Sequence, residues 1–287
     1  KPAMKTALSD LSYASPSSYN ANNNSELLLN DSNNMDISAL AYESLPTTIQ
    51  KALLSQKRLV IMANNPSITI ETLEQTLKPT DILVLFNDFI HADFFATHAL
   101  AKTLPKLLFF RQIGDSQLHF GLPPRSNNLI AIEQIAQQAT LGIFLSNISY
   151  QLPTPADDPK PNDDPISDKR VLSMTNDLKA IFDSTEYCRV LSEQHPVVAD
   201  YPSFADIHSS APTSGFLLYR LLLAARKAVP RLQSINHLQK TIAPLEILLL
   251  GFNDDDKTAH FWEGHNWAFE RQELATPPVG VKIIRQC

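Results

Sequence analysis

The residues best suited to chemistry lie in one segment, His260–Glu270 (HFWEGHNWAFE). His260 and His265 are each followed by a carboxylate, Glu263 and Glu270 respectively. Two histidines five residues apart do not share a helical face, which argues against a helical zinc site. A histidine near a helix N-terminus is shifted towards its neutral form, which a general base requires. The segment therefore predicts acid–base chemistry at a histidine; the alternative is surface histidines beside core tryptophans.

A second candidate segment combines hydroxyl groups and a glycine at the start of an apolar helix. Thr213, Ser214 and Gly215 precede the apolar stretch 216–229, for which we predict one helix. Hydroxyls and free amides at a helix N-terminus form a donor-rich pocket suited to a phosphate or a carboxylate. The alternative is an ordinary helix start that is capped by Thr213 or Ser214.

Polar residues also follow two apolar runs of strand length. The run 58–63 leads into Asn64–Ser67, and the run 81–86 leads into Asn87. Ser67 and the amides of the next helix would suit an anion, and the amide of Asn87 could donate to and accept from a nucleobase or a ribose. The alternatives are a plain turn with Ser67 as N-cap, and a helix cap at Asn87.

Composition and charge exclude several classes of protein. The chain has 287 residues and a formal net charge of −6 at pH 7, without a cluster of Lys and Arg, so no nucleic-acid partner is expected. The cysteines Cys188 and Cys287 are far apart in sequence and indicate free thiols in a reducing compartment. No stretch reaches the ~18 apolar residues that span a bilayer, so we expect a soluble protein.

Composition also divides the chain. Residues 1–45 are rich in Ser and Asn and are predicted to form a flexible arm. Residues 46–287 are predicted to form a single domain. Within it, the Pro/Asp-rich stretch 153–169 is expected to be an exposed loop or a lid.

The apolar runs predict an α/β fold. They lack the alternation of a half-exposed sheet and are interleaved with helical segments, which indicates a mostly parallel, Rossmann-like sheet with helices on both faces. Ligands of such sheets bind beyond the carboxyl ends of the strands, so the segments 64–67, 87–89 and 252–270 should line one crevice. The predicted strands are 58–63, 81–86, 106–111, 141–145, 245–251 and 281–285.

In this order, the segments resemble the four short motifs of the eukaryotic-type sialyltransferases. The segments 58–67 and 81–87 resemble the large motif, a strand with Asn at its tip followed by a strand that ends in Asn. The segment 212–215 and the strand that ends in Gly251-Phe252 resemble the small motif, Pro-Ser-Thr-Gly followed by Gly-Phe.

The two histidine motifs complete the series. His260–Glu263 is similar to the family's His-Tyr-Tyr-Glu element, and His265–Glu270 fits its last motif, His-x-x-x-x-Glu. The turn 65–67 is also similar to the Asn-Gly-Pro-Ser turn of the small bacterial sialyltransferases. The chain departs from the family in Asn64, where Gly is usual, in the inverted order of Thr213 and Ser214, and in lacking the disulfide of the secretory enzymes, which suits a bacterial enzyme.

The resemblance implies an inverting, metal-independent transferase on a GT-A-like variant of the Rossmann-like fold. Its donor would be a CMP-activated acidic sugar of the sialic acid class, and its acceptor a hydroxyl of a cell-surface glycan or lipooligosaccharide. No cofactor is implied. The enzyme would act in lipopolysaccharide biosynthesis in the cytoplasm, at the inner face of the membrane, with peripheral membrane contact.

The resemblance also implies roles for individual residues. His265 would be the general base, and His260 would donate to the departing phosphate. Glu263 and Glu270 would support the site, with Glu270 holding the helix of the motif. The donor would be bound by Asn65, Ser67, Asn87, Thr213, Ser214 and Gly215.

Three alternative functions follow from the same residues. A Kdo transferase would use CMP-Kdo in nearly the same pocket. A metal-dependent glycosyltransferase would hold a divalent cation and a nucleotide diphosphate with Asp254 and Asp256, which follow the strand 245–251; an acidic solvated turn is the other interpretation of that segment. A non-catalytic nucleotide- or glycan-binding protein would share the fold without transfer activity.

Overall fold

Apolar strands form a parallel sheet at the centre of the molecule. The strands are β1 Arg58–Met62, β2 Asp81–Phe86, β3 Lys106–Ile113, β4 Ser116–Gln117, β5 Leu141–Ser146, β6 Cys188–Leu191, β7 Glu246–Leu250 and β8 Val281–Ile284. The computed structural model describes residues 36–87, 89–113, 116–117, 126–138, 141–146, 188–191, 196–198, 201, 212–235, 245–252 and 265–285.

The strand order is β6-β5-β3-β2-β1-β7-β8, and all of these neighbours are parallel. The short β4 pairs with the end of β3 in the antiparallel sense. The chain adds strands on one side of β1 first and places β7 and β8 on its other side. The order therefore reverses beside β1, between β1 and β7.

Eight α-helices are described around this sheet. They are α1 Ile37–Glu43, α2 Thr47–Ser55, α3 Ile70–Thr76, α4 Ala92–Thr97, α5 Ser126–Gln138, α6 Ser214–Ala225, α7 Val229–Ile235 and α8 Trp267–Ala275. Polar side chains cap several of their N-termini, because the first amides of a helix have no intrahelical acceptor. The N-caps with such a bond are Asp36, Thr69, Thr213 and Asn266.

Two separate apolar cores cover the two faces of the sheet. One face of β1 (Leu59 and Ile61) packs with α1, α2 and the long apolar α6. The other face (Val60 and Met62) packs with α3, α4 and α5. Because both faces are buried, the strands need apolar residues at every position, which explains their missing alternation. The predicted α/β fold is confirmed, and it is compatible with the Rossmann-like class.

The amino edge of the sheet holds buried charges. The Arg58 guanidinium donates to both carboxylate oxygens of Asp81, at 2.8 and 2.7 Å, and Asp81 is fully buried. On the neighbouring strand the buried ammonium of Lys106 donates to the carbonyl oxygens of Ala101 and Leu104, at 2.6 and 2.9 Å. Burial lowers the pKa of Lys106 to about 7.

Two boundaries differ from the prediction. Ile37–Glu43 lies in the segment predicted to be a flexible arm but forms α1, because Asp36 caps it and Ala41 and Tyr42 are buried. The predicted single helix 216–229 ends at Ala225 and resumes as α7. Pro230 lacks a backbone N–H, so it fits the first turn of α7 but not the interior of a continuous helix. Residues 1–35 and the stretch 153–169 lie outside the described residues.

Candidate functional site

The strand order reverses between β1 and β7, and the carboxyl edge at such a reversal is the usual ligand position in an open parallel sheet. Asn65 bridges the two strand ends, because its Nδ2 donates to the carbonyl oxygen of Gly251 at 3.1 Å. The Oδ1 of the same amide accepts from the backbone N–H and the hydroxyl of Ser67, at 3.0 and 2.8 Å. The loop after β1 is therefore tied to the tip of β7. Ser67 does not cap a helix; Thr69 caps α3.

Gly251 is required at this junction by its conformation and by space. Its φ is +76°, in the left-handed region that side chains disfavour. A Cβ atom there would lie 2.5 Å from Cδ1 of Ile68 and 3.2 Å from Cβ of Asn65. The glycine thus lets the loop after β1 approach the end of β7.

Asn64 joins the tips of β1 and β2. Its Nδ2 donates to the carbonyl oxygen of Phe86 at 2.9 Å, which fixes the amide orientation because that carbonyl needs a donor. The Oδ1 atom is buried and has no hydrogen-bond partner within the part of the chain that the structure describes. An unsatisfied buried acceptor costs about 1–3 kcal/mol, so it requires an explanation such as a ligand or a water molecule.

Asn87 ends β2 and reaches the first turn of α6. It is fully buried, with a φ of 57°, and its backbone N–H donates to the carbonyl of Phe109 at 2.7 Å. Its Nδ2 donates to the hydroxyl oxygen of Ser214 at 3.1 Å, so the Ser214 hydroxyl keeps its own proton for another acceptor. Asn87 does not cap a helix, since α4 begins later, after His91.

The N-terminus of α6 is packed against the strand tips. A Cβ atom on Gly215 would lie 2.9 Å from the ring of Phe252 and 3.1 Å from the ring of Phe86. Thr213 is the N-cap, and its hydroxyl accepts from the backbone N–H of Phe216 at 3.1 Å. The backbone amides of Ser214 and Gly215 lie in the first turn, where a helix supplies no intrahelical acceptor and where anions commonly bind.

A buried carboxylate already occupies part of this helix terminus. Glu270, which is 4% exposed, accepts from the backbone N–H and the hydroxyl of Thr213, at 2.7 and 2.8 Å. It also accepts from the Tyr201 hydroxyl at 2.9 Å. Burial raises the pKa of Glu270 to about 7, against the hydrogen bonds from Thr213 and Tyr201, which lower it. Its charge therefore changes near neutral pH.

His265 lies directly before the N-cap of α8, and its predicted place at the start of a helix is confirmed. The residue is 8% exposed, and its ring packs edge-to-face on Trp267, with centroids 5.4 Å apart. Its carbonyl accepts from the backbone N–H of Trp267 at 3.1 Å. The next residue, Asn266, donates its N–H to the Tyr201 hydroxyl at 2.9 Å. The backbone of His265 is thus held in place, and its imidazole is buried beside Trp267.

The structure brings most of the predicted site residues to one edge of the sheet. Asn65, Asn87, Ser214 and Glu270 are joined to strand tips or to the start of α6 by the bonds above, and Thr213 and Gly215 complete that turn. The predicted residues His260, Glu263, Asp254 and Asp256 lie outside the described residues. Among the residues that are described, no group of three or more His, Cys, Asp or Glu side chains could hold a metal ion.

Sequence reasoning missed Tyr201. Its hydroxyl contacts both Glu270 and the turn that carries His265, yet no pattern around it in the sequence signals this role. Asn64 was predicted to lie in the crevice-lining segment 64–67, at the end of an apolar strand, but no binding role was assigned to it.

No protein-family model, no curated protein and no solved structure matches this chain. The class defined by the described residues is an α/β protein with a parallel sheet and a polar site at the carboxyl edge. None of the described helices is long and apolar enough to cross a membrane.

Proposed function

We propose that the protein is an inverting, metal-independent glycosyltransferase that moves a CMP-activated acidic sugar of the sialic acid class to a glycan hydroxyl. One observation supports it above others. The segments that resemble the large, small and last sialyltransferase motifs meet at the reversal of strand order, tied by Asn65–Gly251, Asn87–Ser214 and Glu270–Thr213 hydrogen bonds. In this proposal the fold is a GT-A-like variant, and the enzyme is bacterial and cytoplasmic, building lipooligosaccharide at the inner face of the membrane.

The donor phosphate would bind at the start of α6. The Ser214 hydroxyl and the amides of Ser214 and Gly215 supply donors there, and Asn87 orients that hydroxyl. Both donors of Thr213 are engaged by Glu270, so Thr213 would act through the shape of the turn. Asn65 makes three hydrogen bonds within the protein, and we assign it to shaping the nucleotide loop together with Ser67.

The chemistry needs one base and one stabilised leaving group. The acceptor oxygen would form a bond to the anomeric carbon while its proton passes to the imidazole of His265. The bond from that carbon to the CMP oxygen breaks on the opposite face, and its electron pair stays on the phosphate. Donors at Ser214 and Gly215, with His260, would stabilise that charge. CMP leaves with less phosphate charge than a nucleoside diphosphate, so no divalent cation is needed.

A thermal-shift screen of CMP, CDP, UDP and GDP, each with and without Mn²⁺, tests the proposal. Binding to the native state raises the midpoint of unfolding. We expect selective stabilisation by CMP without metal. A response to UDP that requires Mn²⁺ would overturn the proposal in favour of the metal-dependent alternative. CMP binding without transfer or donor hydrolysis would instead support a binding protein, and transfer from CMP-Kdo alone would identify a Kdo transferase.

Substitution of His265 tests the assigned base. His265→Ala should lower the rate of transfer by about 10²–10⁴-fold, the usual contribution of a positioned base, with unchanged affinity for CMP. His98→Ala is the matched control, because the described side-chain contacts of His98 are with Phe94, Glu74 and Ala101, none of which is a site residue. Near-wild-type transfer by the His265→Ala variant would refute the assignment.

A further inference from the structure

The hydroxyl of Tyr201 stands between two elements of the site. It donates to Oε1 of Glu270 and accepts from the backbone N–H of Asn266, both at 2.9 Å. Its ring packs edge-on against Phe269 of α8 and Phe216 of α6, with centroids 5.4 and 6.1 Å apart. The ring therefore fills the space between the starts of α6 and α8, and the hydroxyl connects their polar groups.

When Glu270 is ionised, the direction of each hydrogen bond in this cluster is fixed, because a carboxylate only accepts. A backbone N–H can only donate, so the Tyr201 oxygen must accept from Asn266 and its own proton is left for Glu270. The N–H of Thr213 likewise donates to Glu270. A continuous chain of bonds thus runs from the N-cap of α8, through Tyr201 and Glu270, to the N-cap of α6.

We propose that Tyr201 is a positioning residue for His265. The N–H that Tyr201 binds belongs to the residue directly after His265, and the His265 carbonyl is held in the adjoining turn. Fixing this peptide fixes the direction of the His265 side chain relative to the start of α6. The assignment of a catalytic purpose rests on the proposed function; the positioning itself does not.

Replacing Tyr201 with phenylalanine distinguishes the effect of the hydroxyl from that of the ring. Tyr201→Phe keeps the packing on Phe216 and Phe269 and removes both hydrogen bonds. Tyr42→Phe is the control: Tyr42 is a buried tyrosine of α1 whose hydroxyl donates to the carbonyl oxygen of Gln50 at 2.9 Å, whereas Tyr201 is partly buried. Any general effect of removing a hydrogen-bonded phenol hydroxyl appears in both variants.

Two measurements on the full chain test the proposal. In transfer from CMP-sialic acid, Tyr201→Phe should lower kcat by roughly 10²-fold, the effect of a 1 Å misplacement, with the Kd for CMP unchanged. In NMR spectra, the ring signals of His265, assigned by their loss in His265→Ala, should shift in Tyr201→Phe. Tyr42→Phe should leave kcat and the His265 signals as in the wild type.

The outcomes separate this inference from the proposed function. Wild-type kcat together with unchanged His265 signals in folded Tyr201→Phe would overturn the positioning role. A wild-type protein that transfers no sugar would refute the proposed function, and the NMR comparison alone would then decide the role of Tyr201: shifted signals support it and unchanged signals overturn it.

Discussion

At the scale of single residues, the carboxyl group of Glu270 influences how strongly the start of α6 attracts other anions. The helix terminus attracts negative charge, and the protein places its own carboxylate there, bound through Thr213. A ligand phosphate at Ser214 and Gly215 would share this end of the helix with Glu270. With a pKa of about 7, the carboxyl can take up a proton and reduce the repulsion between the two anions.

The elevated pKa of Glu270 predicts a loss of stability between mildly acidic and neutral pH. Its contribution to stability is present in full below a pH of about 4.5, where the unfolded chain is also protonated, and is lost as the pH rises to about 7. The change should amount to about 3 kcal/mol and be absent in Glu270→Gln. Urea unfolding at pH 4.5 and 8 measures it.

The control for this prediction is Glu273→Gln, one turn further along α8, where the side chain is exposed. That variant should keep the wild-type pH dependence. Parallel stability curves for the wild type and Glu270→Gln would contradict the prediction.

Binding of CMP should also be linked to uptake of a proton. A phosphate placed beside Glu270 raises the pKa of its carboxyl further, so binding at pH 7.5 draws a proton from the buffer. Calorimetry in two buffers with different heats of ionisation measures the number of protons. We expect less uptake in Glu270→Gln than in the wild type; equal uptake in both would show that the two anions do not meet.

Some residues of the candidate site could be predicted from the sequence, and others could not. The spacing of His265 and Glu270 placed a polar motif at the start of a helix, and the structure has that helix. Tyr201 could not be found, because its two partners lie 65 and 69 residues away and its neighbours form no motif. Contacts made by one side chain across such distances leave no local pattern.

At the scale of elements, glycine lets α6 approach the sheet. Gly215→Ala would ordinarily favour a helix, but here its Cβ would meet the Phe252 ring at 2.9 Å. We expect a loss of about 1–3 kcal/mol in the free energy of unfolding and weaker binding of CMP, because the start of α6 is displaced.

The smaller side chain in Phe252→Leu should restore part of both losses when it is combined with Gly215→Ala. Urea unfolding and calorimetry of the two single variants and the double variant measure the coupling. Strictly additive effects would contradict the assigned contact.

Helices and strands could be predicted where the sequence pattern that defines them is local. The apolar runs of β1, β2, β3 and β7 identified buried strands because both faces of the sheet are covered. The helix α1 was missed because it has only seven residues and directly follows the Ser/Asn-rich stretch, and it packs on α6. The strand β6 has four residues and no turn signal, and its pairing with β5 is a tertiary property.

At the scale of the whole molecule, the two edges of the sheet hold different polar groups. The amino edge holds the Arg58–Asp81 pair, in which Asp81 is buried, and the carboxyl edge holds the candidate site. Asp81→Asn should therefore destabilise the protein by about 3–5 kcal/mol, because Arg58, whose side chain is only 12% exposed, would lose its counter-charge. Binding of CMP to the folded fraction should be unchanged, as measured by calorimetry well below the midpoint of unfolding.

A surface pair provides the comparison. Glu246 and Lys282 are 4.0 Å apart with both side chains well exposed, so Glu246→Gln should cost about 0–1 kcal/mol. A weakened affinity for CMP in folded Asp81→Asn, with none in Glu246→Gln, would show that the two edges are coupled.

The order of the strands in the sheet could not be predicted from the sequence. The fold class predicted that the segments 64–67 and 252–270 line one crevice, but nothing in their composition says that β7 pairs with β1. Registers such as Ile61 with Leu249 depend on which apolar strand competes best for an edge, and all of these strands are similar. The crevice was therefore predicted from fold class, and its position beside β1 came from the structure.

The bridge between Asn65 and Gly251 has a consequence for how the chain folds. Its ends are 186 residues apart, whereas β1, β2 and β3 pair with close neighbours in sequence. Those three strands can assemble while the rest of the chain is still being synthesised. Until β7 arrives, one side of β1 is an unpaired apolar edge, open to chaperones and to other chains. The candidate site at the carboxyl edge is thus completed only when β7 pairs with β1, and such long-range contacts form slowly.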